Sequence, residues 1–432
     1  MFNTEFCSIK NIRWMAVFWL LCLSVAPVKG QEIWTLESSI WRVLEIAPEV
    51  LAADAGVRAK NGALRQAGAW PNPEIEFRAD DKIGKDENTN GYDLTQLVFS
   101  QSLPISGRLR RQHKIATANL HSAKESRRAQ RLQLEFQVAS IFHPLQLAIA
   151  TLHLSEQRLQ LADSLQDVSR QRARAGDLSR LELLRIGIIR ESAQQTLDEA
   201  EGEFNELLSL FQVRLGLPRE RVREIVPLEP IGSAPDLTKL QTQFDTHPML
   251  AAARYRSEAA LAGVSLIRAE RWQDPVVRLF RERDLLNNQR QSVTGVSVAL
   301  PLPLWDRKAG QIHEARARGA QVDAQYQALR QELEGRLIQN HLHLTHLVQQ
   351  GIHFRTQLLD PARELFKLTR KAYAAGETGI LSLIDAHDTY FQAQTRYLEL
   401  LQEAALEAAE LRLAAGHSLV EAEPSTLKGT QP

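Results

Sequence analysis

The residues best suited to chemistry are four histidines in one helical stretch, His341, His343, His346 and His353. His343, His346 and His353 repeat at spacings of 3 and 7, so they project from nearly one helix face. Imidazoles placed this way could bind zinc or copper. Only the first pair is close enough to share an ion, and no carboxylate stands at a neighbouring i±4 position. The four flank the apolar residues Leu344, Leu347 and Phe354. The expectation is therefore interhelical hydrogen bonding or a solvated flank, with no metal site. Asp163 and Asp167 form an i,i+4 carboxylate pair, a pattern common to many helix surfaces. The chain has no G-x-S-x-G, no H-E-x-x-H and no glycine loop that could cradle phosphate. The chemistry-bearing residues thus point away from an enzyme and from any cofactor.

The elements that carry these residues are written twice. RQAGAWPNPEIEF around Trp70 matches IRAERWQDPVVRL around Trp272. QSLPISGRLRRQ matches ALPLPLWDRKAGQ, and RARAGDLSRLELL near Gly176 matches AYAAGETGILSLI near Gly376. Ala47-Pro48 with Leu51-Ala52 matches His247-Pro248 with Leu250-Ala251. The order is kept and the offset stays between 199 and 202 residues. This is a tandem duplication, each copy reading helix, two strands, long helix, glycine turn, long helix.

Composition bounds the class. Of 432 residues, 44% are hydrophobic and 24% charged, with 52 basic and 52 acidic side chains. Such a chain can bury a core, and zero net charge argues against a nucleic-acid partner. Lys10 and Arg13 precede an apolar run at residues 15–26, and Val28-Lys29-Gly30 offers a cleavage site. Residues 1–30 read as a secretory signal peptide, the apolar run being too short to span a bilayer. Leu20-Leu21 before Cys22 lack the small residue that lipid attachment wants. The only cysteines are Cys7 and Cys22, so cleavage leaves no thiol for disulfide, redox or metal chemistry.

Beyond residue 30 no stretch holds 18 uninterrupted apolar residues, so a membrane crossing would have to be a closed β-barrel. Four strands are expected, at residues 74–80, 92–103, 276–283 and 292–302. Val296, Val298, Leu300 and Leu302 share one face of the fourth, opposite Gly295, Ser297 and Ala299. In the second, Leu97, Phe99 and Leu103 share a face with Thr95 and Gln101. Polar links at residues 82–90 and 284–291 suit external hairpin loops, and Trp70, Tyr92, Trp272 and Trp305 lie at strand ends, as interfacial aromatics do. Four strands cannot enclose a lumen, since small barrels need about eight. Either the sheet is covered, as in a small soluble sheet packed on helices, or several copies pool their strands.

The helices are long. Between Gly107 and Gly176 there is no glycine and one proline, Pro144, which should kink the helix. About 60 helical residues would span roughly 90 Å. Leu197, Ala200, Phe204, Leu207 and Phe211 step by 3 and 4, as do Leu333, Leu337, Asn340, Leu344, Leu347, Gly351 and Phe354. Such stepping builds a coiled-coil seam. Pro361 should start a new helical segment after Asp360. The proline-rich residues 217–246 read as a linker packed around the middle of the helical body. The expected domains are a signal peptide at 1–30, a first repeat at 31–216, the linker at 217–246, a second repeat at 247–418 and a polar tail at 419–432.

The doubled order, W-x-x-P before a strand, LPLPLWDR at a strand-to-helix joint and AAGET followed by LSLIDA at a helical turn resemble the TolC family of outer-membrane efflux ducts. QAGAWPNPEIEF and VSVALPLPLWDRKAGQIHEA are most similar to the branch serving cobalt-zinc-cadmium type exporters. The resemblance covers about residues 35 to 418, and its specificity lies in the ordered set. It implies a mainly α fold with a β part: a homotrimer forms one 12-stranded outer-membrane β-barrel continued by a periplasmic α-helical tunnel. The implied partners are outer-membrane lipid, a periplasmic adaptor and a proton-driven inner-membrane pump, and the implied cargo is heavy-metal cations or small toxic compounds. In the resembled family, acidic residues after the second-copy glycine turn ring the closed periplasmic end. Asp385 falls on one such position and Ser382 on the other, so one of two carboxylates is missing. Glu182 is the first-copy equivalent of Ser382. Gly176, Asp177 and Leu178, with Gly376, Glu377 and Thr378, would be the tips that meet the adaptor. Alternatives are a duct for type I protein secretion, with the same architecture, and a soluble periplasmic coiled-coil scaffold.

Overall fold

A computed structural model describes residues 33–80, 94–176, 178–218, 224–286 and 289–420. Residues 1–32 with both cysteines, Tyr92, the expected polar link at 82–90, Asp177 and residues 421–432 lie outside the described residues. The first copy runs β1 (Ile33–Trp34), α1 (Leu36–Ile46), α2 (Pro48–Ala67), β2 (Glu74–Asp80), β3 (Leu94–Ser102), α3 (Arg108–Ala175) and α4 (Arg180–Leu215). Then come β4 (Glu224–Ile225) and α5 (Leu237–Gln243). The second copy runs α6 (Pro248–Glu270), β5 (Val276–Leu286), β6 (Gln289–Ala299), α7 (Ala309–Phe354), α8 (Asp360–Ala375) and α9 (Ile380–Ala415).

The helices follow the seams read from the sequence. Leu333, Leu337, Asn340, Leu344 and Leu347 of α7 are buried, and the four leucines pack with Leu400 and Leu411 of α9. Phe211 of α4 is buried with Phe142 and Leu145 of α3, Ile40 of α1 and Trp34 of β1, while Phe204 and Leu207 pack at the edge of that cluster. Leu240 and Phe244, from the segment between the copies, join the α7–α9 core. At 68 residues α3 extends roughly 100 Å. Pro144 lies inside α3 without ending it. An 18-residue window of α3 is apolar enough to cross a membrane by composition, yet its Val138, Ala139, Phe142, Leu145 and Ala148 are buried in the helical body. Before Pro361 the chain makes a π-helical turn at Arg355–Leu359, and α8 begins at Asp360. The wider turn accommodates a ring that lacks an N–H and would clash with the carbonyl four residues earlier.

The four long strands form one antiparallel sheet in the order β2-β3-β5-β6. The β5–β6 ladder continues to Leu286↔Gln289, through most of the expected polar link at 284–291. Backbone pairing does not require apolar side chains, so the ladder outruns the composition signal. The register gathers most of the apolar side chains on one face. One face carries the row Ile75, Phe99, Leu279 and Val296, with Phe77, Leu97, Arg281 and Thr294 on one side and Gln101, Val277 and Val298 on the other. Ile75, Phe77, Leu97, Val296 and Val298 are exposed on it. The opposite face carries Glu74, Ser100, Arg278 and Ser297, then Glu76 with Val98, Phe280 and Gly295, then Arg78, Gln96 and Glu282 with Val293, so it is the more polar of the two. There Gln96 Nε2 donates to Glu282 Oε2 at 3.3 Å, and Phe280 covers Gly295, whose Cβ position it approaches to 2.5 Å. An exposed apolar face backed by a polar one is the inverse of a soluble sheet packed on helices. β2 and β6 are the sheet's two edges.

Candidate functional site

At the end of the helical body far along the chain from the sheet, α3 turns into α4 at Gly176 and α8 turns towards α9 at Gly376. Both glycines are left-handed, φ +84° and +78°, which a side chain rarely tolerates. A Cβ built at either would meet nothing within 4 Å, so the turns project into open space. Gly376 N–H donates to Tyr373 O and Glu377 N–H to Ala372 O, closing the last turn of α8. The two turns are held side by side by one apolar cluster: Leu165 and Ile186 from the first copy meet Tyr373, Ile380 and Leu383 from the second. Leu178 packs at its edge, and Arg172 lies over the Tyr373 ring at 4.9 Å. Glu377 is exposed, while Thr378 is half-buried with an unpartnered Oγ1.

One turn into α9, Leu383, Ala386 and His387 are buried, whereas Ser382 and Asp385 are exposed on the opposite side. Asp385 has no hydrogen bond or ion pair among the described residues. Glu182 differs. Its carboxylate accepts from Ser179 N–H at 3.0 Å and from Ser179 Oγ at 2.7 Å, while Glu182 N–H donates to Ser179 Oγ. This capping box starts α4. The hydrogen bonds from Ser179 hold the Glu182 carboxyl below the usual range. Ser179-x-x-Glu182 is a helix-start signature in the sequence, and it gives Glu182 a structural task. The equivalent N-cap of α9, Gly379, has no side-chain cap.

A second constellation stands one turn beyond Asp385. Arg158 of α3 reaches Asp388 of α9, Nη2 to Oδ1 at 3.3 Å. His387, 2% exposed, places Nδ1 3.1 Å from Asp388 Oδ1 and lies between Phe366 and Phe391. The hydrogen bond with His387, aided by Arg158, holds the Asp388 carboxyl below its ordinary value. Sequence spacing missed this group because its partners lie 230 residues apart. Asp163 pairs with Arg190 of α4 at 2.9 Å, and Asp167 with Arg170. Of the α7 histidines, His343 makes an interhelical bond to Glu407 of α9 at 2.9 Å, and His341 bonds to Pro235 O, in the segment between the copies, at 2.8 Å. Glu407 is a carboxylate that i±4 spacing could not foresee, and burial pushes its carboxyl above the usual range.

A family model described as outer membrane efflux protein matches residues 40–207 and 240–417, one segment per copy. The cobalt-zinc-cadmium resistance protein CzcC of Cupriavidus metallidurans is 25% identical over 387 residues, covering 88% of this chain and 90% of that protein. The nickel-cobalt-cadmium resistance protein NccC of Alcaligenes xylosoxydans xylosoxydans is 23% identical over 319 residues, covering 72% of this chain and 71% of that one. The structure of the outer membrane protein VceC from Vibrio cholerae shares the fold, with a TM-score of 0.71 at 19% identity over 89% of this chain and 96% of that one. The duplicated helices, the inverted sheet and these likenesses agree: the chain belongs to the outer membrane efflux protein family and is an outer-membrane channel component of a tripartite efflux system.

Proposed function

We propose that three copies of this chain assemble into one passive duct, each giving four strands to a 12-stranded barrel and its long helices to a periplasmic tunnel, and that the duct discharges heavy-metal cations or small toxic compounds. The observation that carries this reading is the sheet. Its apolar face is exposed, its polar face suits a wet lumen, and its edges β2 and β6 are free to pair with neighbouring copies. A four-stranded sheet in lipid must find such partners, because unpaired backbone groups are too costly there. The cargo is inferred from CzcC and NccC, which are named for resistance to cobalt, zinc, cadmium and nickel.

In this assembly the exposed Asp385 carboxylates surround the threefold axis, attract cations and resist anions, with Ser382 beside them. Glu182 contributes its fixed charge and its cap. The turns at Gly176, Leu178, Gly376, Glu377 and Thr378, with Asp177 beyond the described residues, meet the adaptor, which couples the duct to an inner-membrane pump. The domain division proposed is a signal peptide at 1–30, repeats at 31–216 and 247–418 joined by the segment 217–246, and a tail at 419–432. The duct performs no bond chemistry of its own. Light scattering of the detergent-purified protein, corrected by refractive index, tests the assembly: a detergent-bound particle of three chains is expected, and a detergent-free monomer or dimer would overturn it.

A further inference from the structure

Where the helices join the sheet, the start of α3, the end of α6 and the residue after β6 enclose a cleft of about 450 Å³. Ile105, Trp272 and Leu300 line it, exposed at 74%, 53% and 51%. Leu300 is one step past Ala299, so it extends the apolar stripe of Val296 and Val298 towards the helices. Arg111 and Arg268 line the same cleft. Arg111 donates from Nη1 to Ser106 O at 3.0 Å, and Arg268 is exposed. Neither has a carboxylate partner among the described residues. Other cations of this joint do: Arg108 is held by Asp274, and Lys308 by Glu270 at 3.3 Å.

Two unneutralised guanidinium groups beside an exposed indole and aliphatic wall match a ligand that is anionic at one end and apolar at the other. We propose that this cleft binds the phosphate headgroup of an anionic glycerophospholipid in the periplasmic leaflet. Arg111 and Arg268 bind the phosphate, and the acyl chains run from Leu300 along the apolar face of the sheet. The inference rests on the membrane seating of the sheet proposed above. Charge complementarity selects the headgroup, and continuity with the apolar face selects a lipid over a free anion, which would leave Ile105, Trp272 and Leu300 in water.

Native mass spectrometry of the detergent-purified protein incubated with phosphatidylglycerol tests the site, because one spectrum gives both the oligomer mass and the retained lipids. The wild type is expected to retain phosphatidylglycerol in preference to phosphatidylcholine. Arg111→Gln and Arg268→Gln should each lower retention about fivefold, the factor for one cation near an anionic surface. Arg307→Gln, at an exposed residue outside the cleft, should leave retention unchanged. An intact trimer whose retention survives Arg268→Gln, equal retention of phosphatidylcholine, or displacement of the lipid by inorganic phosphate would each overturn the site. Loss of the trimer in the wild type would overturn the seating itself, and the site with it.

Discussion

Gly107 and Lys308 hold the same backbone conformation at the same place in the two copies. Each is the N-cap of a long helix that follows a strand, and each is left-handed, with φ of 72° and 54°. Among the described residues Lys308 is the one non-glycine with positive φ. Its backbone is steadied by Asp306 Oδ1, which accepts from Lys308 N–H at 2.8 Å, and its side chain by Glu270. The strand-to-helix joint therefore demands one geometry twice, and the second copy meets it with a strained residue held by two carboxylates.

Gly107→Ala should lower stability by about 1–2 kcal/mol, the cost of a left-handed side chain. Lys308→Ala should cost less, because that strain is already present and mainly an ion pair is lost. Denaturant midpoints of the detergent-solubilised variants measure both, and an equal loss would show that the joint does not impose the conformation.

Asp385→Ala should weaken cation selectivity and block by multivalent cations in planar bilayers, while Ser382→Asp, restoring a second exposed carboxylate, should strengthen the block. Unchanged selectivity and block in both would remove this face of α9 from the gate.

His247 caps α6 through Nδ1, which accepts from Met249 N–H at 3.1 Å, while Nε2 lies 3.3 Å from Leu413 O. Only the neutral ring can make the cap, and burial lowers its affinity for a proton. An unfolded histidine takes up a proton near pH 6.5, the folded one only at lower pH. Stability should thus fall as pH drops from about 6.5 towards the folded value, with His143, also lowered by burial, acting in the same sense. His247→Asn keeps a capping side chain without the titration. It should flatten part of that decline in unfolding midpoints recorded between neutral and mildly acidic pH.

Asp388 acts in the same sense, in a more acidic window. Its carboxyl is held low by His387 and Arg158, so its contribution is complete above the ordinary aspartate value of about 4 and is lost as pH falls through the folded value. Asp388→Asn should loosen the α3–α9 contact at neutral pH and remove the acid-dependent part of its stability. Hydrogen exchange around Arg158 reads the local effect, and a protection pattern identical to wild type would rule the contact out as a tie.

The chain order of elements was legible because it depends on local periodicity. Steps of 3 and 4 mark α4 and α7, alternation marks β6, and left-handed glycines mark the turns at Gly176 and Gly376. The capping box at Ser179 and Glu182 was equally local and open to reading. Other features depend on what meets across the fold. His343 finds Glu407, Arg158 finds Asp388, and Arg108 finds Asp274 from partners 64, 230 and 166 residues away. No spacing rule encodes such meetings. Polarity was legible in β6 alone but ambiguous in β3, because Thr95 and Gln101 dilute the face of Leu97 and Phe99. Only pairing in register stacks Ile75, Phe99, Leu279 and Val296 into one apolar row. The sequence by itself thus determined the repeat and its helices, whose signal is carried by near neighbours. The tertiary structure decided which sheet face is apolar and which charges are paired, because both depend on register and packing between distant segments.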